Sequence, residues 1–158
     1  MIDIDHLQGW IGRQETRHDS ATLVPLQALS ATLDRDESWS PGDEVPPLWH
    51  WLYFLPLHRQ SEIGPDGHAR RGGFLPPVPL PRRMWAGSQL RFMAPLRAGQ
   101  ALTRTSTIDD VRLKDGRSGP LVFVKVRHDI VADGQPVIEE FHDIVYRPEP
   151  TKGAPVAS

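Results

Sequence analysis

The seven histidines are the first side chains to consider for chemistry in this 158-residue chain. Three of them, including His128 and His142, stand directly before an aspartate, but neighbours on a strand point to opposite faces, so such a pair cannot act together. A two-residue turn at Asp133-Gly134 would place His128 opposite Glu139 and His142 opposite Lys125. A histidine and a glutamate on adjacent strands can serve in acid–base catalysis, although most pairs of this kind lie at a surface.

A further histidine, His50, lies in the apolar string WHWLYF and is predicted to be buried. It is either a core histidine that donates to a backbone carbonyl or a pocket residue. The patterns His-x-His and HExxH are absent, as is cysteine, so no metal site is expected. The sequence also lacks a GxSxG nucleophile elbow and a glycine-rich loop ending in GK[ST], which leaves serine hydrolase chemistry and phosphate-loop binding without support.

The main basic cluster of the sequence consists of four arginines, Arg70, Arg71, Arg82 and Arg83. One interpretation is ordinary solvated charge. The other is an anion subsite, for example for the phosphates of a pantetheine-bearing cofactor, because guanidinium groups bind phosphate through paired hydrogen bonds.

The overall composition limits the classes of protein to which the chain can belong. It has 18 Lys and Arg residues against 20 Asp and Glu, a net charge of -2 and a pI near 6.4, which argues against a nucleic-acid partner. No apolar run approaches the roughly 18 residues of a membrane span, and the acidic N-terminus does not resemble a secretory signal. Because cysteine is absent, we predict a cytoplasmic protein without disulfides.

Two helices and a long loop are predicted before the strands. Thr22 can cap a first helix over about residues 23–33, whose leucines repeat at helical spacing. The apolar string PPLWHWLYFLPL predicts a second helix over about residues 47–56, with a buried strand as the alternative. Residues 58–83 are predicted to form a long irregular segment that is ordered and partly buried.

Four strands follow this segment, predicted over residues 84–94, 101–113, 120–131 and 136–147. A strand meander after an apolar helix predicts an α+β domain in which a curved antiparallel sheet wraps around that helix. We expect one domain over residues 1–147 and a flexible tail or linker, rich in proline and alanine, over residues 148–158.

Much of the chain carries a family resemblance. The strings PLWHWLYFLP, DGHARRGGFLPPVPLPRRMWAGSQLRF, PLRAG, KDGRSGPLVFVKVRHDIV and EFHDIVYRP resemble the N-terminal half of the MaoC-like acyl-thioester dehydratases. Within these, the sequence is most similar to mesaconyl-CoA and itaconyl-CoA hydratases and to the hydroxyacyl-thioester dehydratase type 2 proteins. The resemblance implies a hot-dog fold with PLWHWLYFL as its central helix. It also implies hydro-lyase chemistry on acyl groups carried by coenzyme A or an acyl carrier, with the thioester as substrate and no further cofactor.

The catalytic motif of this family is missing from the chain. The resemblance implies an Asp followed five positions later by a His, yet no histidine stands five residues after any aspartate here. The matching stretch, residues 33–39, offers only the carboxylates Asp34, Asp36 and Glu37. In two-domain relatives the catalytic pair lies in a second hot-dog domain, and the N-terminal half makes room for the acyl chain.

Three hypotheses for function follow. In the first, the chain is the non-catalytic half of a hydratase or dehydratase that pairs with a catalytic hot-dog subunit or domain. Pocket or interface residues would then be Trp49, His50, Phe74, Trp85 and Gly87. In the second, the chain is a self-sufficient hydratase or thioesterase that uses atypical carboxylates, since hot-dog domains host both activities. In the third, it binds acyl-CoA without catalysis.

A single hot-dog domain leaves a sheet edge open, so we expect a homodimer in isolation or a heterodimer in the cell.

Overall fold

The computed structural model describes residues 1–150, and residues 151–158, which hold most of the predicted tail, lie outside the described part. Helix α1 spans Ile4–Gln8, strand β1 spans Gln14–Ser20, and helix α2 spans Leu23–Thr32, close to its predicted bounds. An irregular segment with two 3-10 turns, Trp49–Leu52 and Gln60–Glu62, leads to four long strands. These strands are β2 (Arg82–Phe92), β3 (Ala101–Gly116), β4 (Gly119–Ala132) and β5 (Gln135–Arg147).

The five strands of the described chain form one antiparallel sheet in the order β1-β3-β4-β5-β2. The α+β hot-dog fold class is thereby confirmed. The predicted meander holds for β3, β4 and β5, but β2 pairs with β5 instead of β3, so the strand that precedes β3 in sequence lies at the opposite edge of the sheet. Strand β1 and helix α1 were not predicted. The β1 sequence, QETRHDS, lacks apolar alternation, and it becomes a strand because it pairs along β3 from Gln14 to Ser20. The edges of the sheet are therefore β1 and β2.

One face of the sheet carries the core because side chains alternate along each strand. On β4, Val122, Val124 and Val126 are buried on this face, as the alternation predicts. Two apolar clusters cover the two ends of the face. Helix α2 and the Trp49–Leu52 turn pack at the end near Ile130, whereas α1 and the irregular segment pack near Val122 and Val124. Between the two clusters the face is polar, which leaves a gap in the core for a site.

The register of β4 and β5 differs from the one that a plain two-residue turn predicts. Asp133 and Gly134 do form the turn, with φ angles of 46° and 81°, but the ladder shifts between Ile130 and Val131 because Val137 is an extra residue on β5. His128 therefore lies opposite Glu140 instead of Glu139, and His142 lies opposite Val126 instead of Lys125. The predicted His128–Glu139 pair is wrong for this reason.

The predicted central helix over residues 47–56 is reduced to the single 3-10 turn Trp49–Leu52. Left-handed backbone at Leu48 (φ 74°) and Phe54 (φ 60°) ends it on both sides. Tertiary contacts replace the helical bonds: the Phe54 N–H donates to Asp19 Oδ2 at 2.8 Å, and the Tyr53 hydroxyl donates to the Thr22 carbonyl at 2.7 Å. The segment still packs against the core face of the sheet.

The predicted irregular segment 58–83 is irregular up to residue 81 apart from the short turn Gln60–Glu62, and its last two residues belong to β2. Val78 and Leu80 within it are buried, as predicted. Among residues 1–150, no helix is both long and apolar enough to cross a bilayer. The domain limits 1–147 and 148–158 and the cytoplasmic location stay predictions.

Candidate functional site

The polar gap in the core opens into a groove made of three adjoining cavities. The main chamber has a volume of about 450 Å³ and lies between the sheet and the irregular segment. The inner chamber, also about 450 Å³, shares Trp85, Arg104, His128 and His142 with it. The loop chamber, about 580 Å³, shares Phe74 and Arg83 with the main chamber and extends under residues 67–73. The groove therefore runs from the middle of the sheet to the arginine-rich loop.

Glu140 is the most deeply buried charged group on the floor of the groove. The bulge at Val137 turns it toward the core face, where it is 7% exposed. Its Oε1 lies 2.9 Å from Nε2 of His50, and the indole Nε1–H of Trp51 donates to both carboxylate oxygens, at 3.1 and 2.9 Å. The 3-10 turn thus supplies two neighbouring side chains that hold one carboxylate.

These contacts decide the charge of Glu140. Burial alone would raise the pKa of the carboxyl, but the hydrogen bonds from His50 and Trp51 outweigh burial, so the pKa of Glu140 is lowered. Glu140 is therefore ionised at neutral pH. His50 is itself buried, and within residues 1–150 its Nδ1 has no hydrogen-bond partner.

A second polar couple joins β3 and β4 beside Glu140. The Ser106 Oγ lies 2.7 Å from Nδ1 of His128, and the His142 ring lies 6.3 Å from the His128 ring between centroids. Burial and the nearby Arg104 charge lower the pKa of His128 to about 4, and burial lowers the pKa of His142. Both rings are neutral at pH 7, so they offer hydrogen bonds to the groove without adding charge.

Of the five predicted pocket or interface residues, two line the groove. Phe74 lines the main and loop chambers, and Trp85 lines the main and inner chambers. His50 lies behind the floor of the groove, where it contacts Glu140 and lines a separate cavity. Trp49 instead packs on Trp39, with ring centroids 5.5 Å apart. Gly87 lies at a register shift of β2, where an added Cβ would meet no atom within 4 Å.

The four predicted phosphate-binding arginines separate in the structure. Arg70 and Arg83 line the loop chamber, and Arg83 also reaches the main chamber. Arg71 lines the loop chamber too, but its guanidinium donates to the backbone carbonyls of Val78, Leu80 and Pro81, which ties it to the fold. Arg82 points away and pairs with Glu149 at 3.3 Å. Arg70 and Arg83 are thus the two of the four with guanidinium groups available to a ligand.

The three predicted carboxylates lie after the end of α2 and line none of the cavities of the groove. Glu37 accepts from the Ser30 hydroxyl at 2.6 Å and pairs with Arg35 at 2.9 Å, while Asp34 and Asp36 are exposed. The structure does not bring Asp34, Asp36 or Glu37 to any histidine of the groove. Within residues 1–150, no three His, Asp or Glu side chains come close enough to hold a metal ion.

Sequence reasoning missed two charged residues of the groove, the buried Glu140 and the half-buried Arg104. A signal for Glu140 was present in Pro136, because a proline inside a central strand is typical of a bulge, and a bulge moves every later side chain to the other face. Arg104 stands in the alternating string ALTRTSTI, where its face follows from the register alone.

Comparison with known proteins agrees with this architecture. Residues 48–158 match the family model described as hydroxyacyl-thioester dehydratase type 2. The chain is 50% identical over 148 residues to a mesaconyl-C(4)-CoA hydratase of Chloroflexus aurantiacus. The aligned region covers 93% of this chain and 52% of that protein. The chain thus spans about half the length of the curated relative that it matches.

A solved structure shows the same fold. A chain of the ChsH1-ChsH2 complex from Mycobacterium tuberculosis superposes with a TM-score of 0.64 at 13% sequence identity, covering 94% of this chain and 90% of that chain. The resemblance that the sequence carries is therefore confirmed, and the chain belongs to the hydroxyacyl-thioester dehydratase type 2 family of hot-dog proteins.

Proposed function

We propose that this chain is the half of an acyl-thioester hydratase or dehydratase that accommodates the acyl group, of the mesaconyl-CoA or itaconyl-CoA hydratase type. A partner hot-dog domain or subunit would supply the catalytic Asp and His. One observation carries the proposal: the chain matches half of a mesaconyl-C(4)-CoA hydratase at 50% identity, yet it holds no Asp-x-x-x-x-His motif.

In this proposal the groove holds the substrate while the partner performs proton transfer. The side chains of Phe54, Phe74, Leu75, Val126 and Ile144 line the main chamber and would cover the acyl chain and exclude water from it. Arg70 and Arg83 would bind the phosphates of coenzyme A or of an acyl carrier at the mouth of the loop chamber. The thioester is the substrate, and the mechanism assigns no other cofactor to these residues.

The reaction adds water across an α,β-unsaturated thioester. A hydroxyl group bonds to the β carbon and a proton to the α carbon, and the reverse reaction releases water. The partner's Asp and His would activate the water and deliver the proton. This division of labour resembles a two-component assembly, and the fold is shared with a chain of the ChsH1-ChsH2 complex.

The test is a hydration assay on the purified chain with crotonyl-, mesaconyl- and itaconyl-CoA. We expect no turnover by the chain alone and turnover when a hot-dog protein with the Asp-x-x-x-x-His motif is co-expressed with it. Rapid hydration by the chain alone would overturn the proposal. Binding of acyl-CoA without turnover in any mixture would instead favour a non-enzymatic acyl-CoA-binding module.

The buried pair of Glu140 and His50 favours a second candidate, a self-sufficient hydratase or thioesterase. A carboxylate and an imidazole 2.9 Å apart beside a groove are the components of acid–base chemistry. Should the chain hydrate or hydrolyse a thioester by itself, Glu140→Gln is expected to abolish that activity. Glu139→Gln, on the same strand but in a surface pair with Arg91, is expected to leave it intact.

A further inference from the structure

Arg104 is a charged side chain in the groove that has no partner among residues 1–150. It lies on β3 and lines both the main and the inner chamber. Its Nε is buried without a hydrogen bond, and none of its nitrogens forms an ion pair within the described chain. The guanidinium carbon lies 5.0 Å from the centroid of the Phe54 ring, which fixes the side chain against the wall of the groove.

The neighbouring carboxylates cannot serve Arg104 because they have partners of their own. Glu15 pairs with Arg17 at 3.3 Å, and both oxygens of Glu140 are held by His50 and Trp51. Arg17 is also the residue directly opposite Arg104 across β1 and β3, and like charges in that position repel. Arg104 is half-buried, and Glu15 and Glu140 attract its charge without a direct contact. A partly desolvated charge that lacks a direct partner gains from an anionic ligand.

The residues around Arg104 in the main chamber indicate which part of a ligand would reach its guanidinium group. The hydroxyl of Ser106 and the neutral rings of His128 and His142 add hydrogen-bonding groups beside the guanidinium. The remaining walls combine apolar side chains with the ion pair of Glu15 and Arg17 and with His68 and Arg83. Arg70 lines only the loop chamber, at the other end of the groove, whereas Arg83 lines both the loop chamber and the main chamber. The distribution fits a thioester that spans the groove, with its phosphates near the loop and a second anionic group above the sheet.

We propose that Arg104 binds a carboxylate carried by the acyl group itself, so that the groove selects thioesters of dicarboxylic acids. This inference rests on the proposed function, because it assumes that the groove takes an acyl-thioester. In this inference a single residue of this chain, Arg104, determines the specificity for a charged acyl end. The charged end would lie against the sheet of this chain and not in the partner.

The test compares two ligands that differ only at the acyl end. Mesaconyl-C4-CoA and 3-methylcrotonyl-CoA share coenzyme A and the double bond, but the first carries a carboxylate where the second carries a methyl group. Isothermal titration calorimetry on the 158-residue chain should give about 10- to 100-fold tighter binding of the first, the gain expected of a charge-assisted bidentate pair. Arg104→Met should remove this preference without weakening 3-methylcrotonyl-CoA.

Two further variants keep the result interpretable. Arg104→Lys retains the charge and should restore part of the preference even if Arg104→Met folds poorly. Arg112→Met removes an exposed arginine from the same strand, one that pairs with Asp110, and should retain the full preference.

Each contrary outcome has a distinct meaning. Equal binding of the two thioesters by the wild-type chain would overturn the inference and leave the proposed function standing. Equal weakening of both thioesters, and of coenzyme A alone, by Arg104→Met would overturn it as well, because Arg104 would then contact the coenzyme A phosphates. Absence of binding by either thioester would remove the proposed function together with this inference.

Discussion

Glu140 and His50 form a buried polar pair, and the exposed Trp51 donates to the same carboxylate. Not every polar atom of this contact has a partner. Both carboxylate oxygens of Glu140 accept hydrogen bonds, whereas Nδ1 of His50 is buried without a partner in the described chain. The ionised state of Glu140 depends on the two donors of the 3-10 turn, since burial alone would raise its pKa. The contact therefore ties β5 to the turn Trp49–Leu52 and is sensitive to the loss of either side.

Replacement of Glu140 tests this contact. Glu140→Ala should lower the free energy of unfolding by about 3 kcal/mol, because it leaves the buried His50 without its acceptor and removes the hydrogen bonds from the exposed Trp51. Urea unfolding followed by tryptophan fluorescence measures the change. Glu139→Ala, which removes a partly exposed pair with Arg91, should cost no more than about 1 kcal/mol. Equal losses in the two variants would contradict the assignment.

The half-buried histidines His128 and His142 predict a loss of stability in acid. The pKa of His128 is lowered from 6.5 to about 4 by burial and by Arg104, so the unfolded chain binds a proton at this residue more readily than the folded chain does. The free energy of unfolding should therefore fall as the pH decreases from 6.5 to 4, by about 3 kcal/mol from His128 alone. His142, whose pKa is also lowered, acts in the same direction.

Urea unfolding at intervals between pH 7 and pH 4 measures this slope, and NMR titration of the His128 ring measures its pKa directly. His128→Asn should flatten the profile in this window, since the variant has no group at that position to protonate. A His128 pKa near 6.5 in the folded protein, or an unchanged slope in the variant, would show that the ring is not held neutral by its surroundings.

At the scale of elements, the β4–β5 hairpin determines which side chains enter the groove. The Asp133-Gly134 turn sets the start of the pairing, and the Val137 bulge then shifts it by one residue. Because side chains alternate along a strand, that single shift brings Glu140 and His142 to the core face together with His128. Asp133 also accepts a hydrogen bond from the Ala101 N–H at 2.9 Å, which anchors the turn to β3.

Gly134→Ala tests the turn. Gly134 has a φ of 81°, and an added Cβ would meet no atom within 4 Å, so the cost comes from the backbone conformation alone. We expect a loss of about 1 kcal/mol in the free energy of unfolding. Gly73→Ala is the matched control, since its Cβ also meets nothing and its φ lies outside the left-handed region. Thermal or urea unfolding compares the two, and a larger loss for Gly73→Ala would be the contrary result.

At the scale of the whole molecule, the exposed apolar surface indicates association. Trp85 on the edge strand β2 is 67% exposed, and Trp51 beside it across the inner chamber is 51% exposed. An edge strand with large exposed aromatic side chains is a surface that proteins normally cover. We therefore retain the prediction of a homodimer in isolation or a heterodimer with the catalytic partner.

Sedimentation velocity at micromolar concentration tests this prediction. We expect a dimer for the wild-type chain and an at least roughly tenfold weaker association for Trp85→Lys, because large aromatic side chains are frequent anchors of interfaces. Val24→Lys changes a side chain of similar exposure, 69%, on α2, and should leave association unchanged. A wild-type monomer at these concentrations would contradict the prediction.

The sequence by itself determined the sheet and the family. Alternation in PLVFVKVRHDIV, the turn residues Asp133 and Gly134, and the strings around FLPPVPLPRR are local patterns, and each predicts its structure without knowledge of the rest of the chain. The four long strands and the buried path of Val78 and Leu80 followed from such patterns, and helix α2 followed from the helical spacing of its leucines. These elements are predictable because propensity and burial agree along one stretch of sequence.

Only the tertiary structure decided the site. The register shift at Val137, the pairing of the polar strand β1 along β3, and the contacts that shorten the central helix all depend on residues distant in sequence. Glu140 and Arg104 face the groove for these reasons, whereas Asp34, Asp36 and Glu37, chosen by local match, lie elsewhere. Side chains alternate along a strand with a period of two residues, so each long strand can be predicted from its own sequence. A shift of one residue in the register reverses the face of every side chain, and packing determines that register.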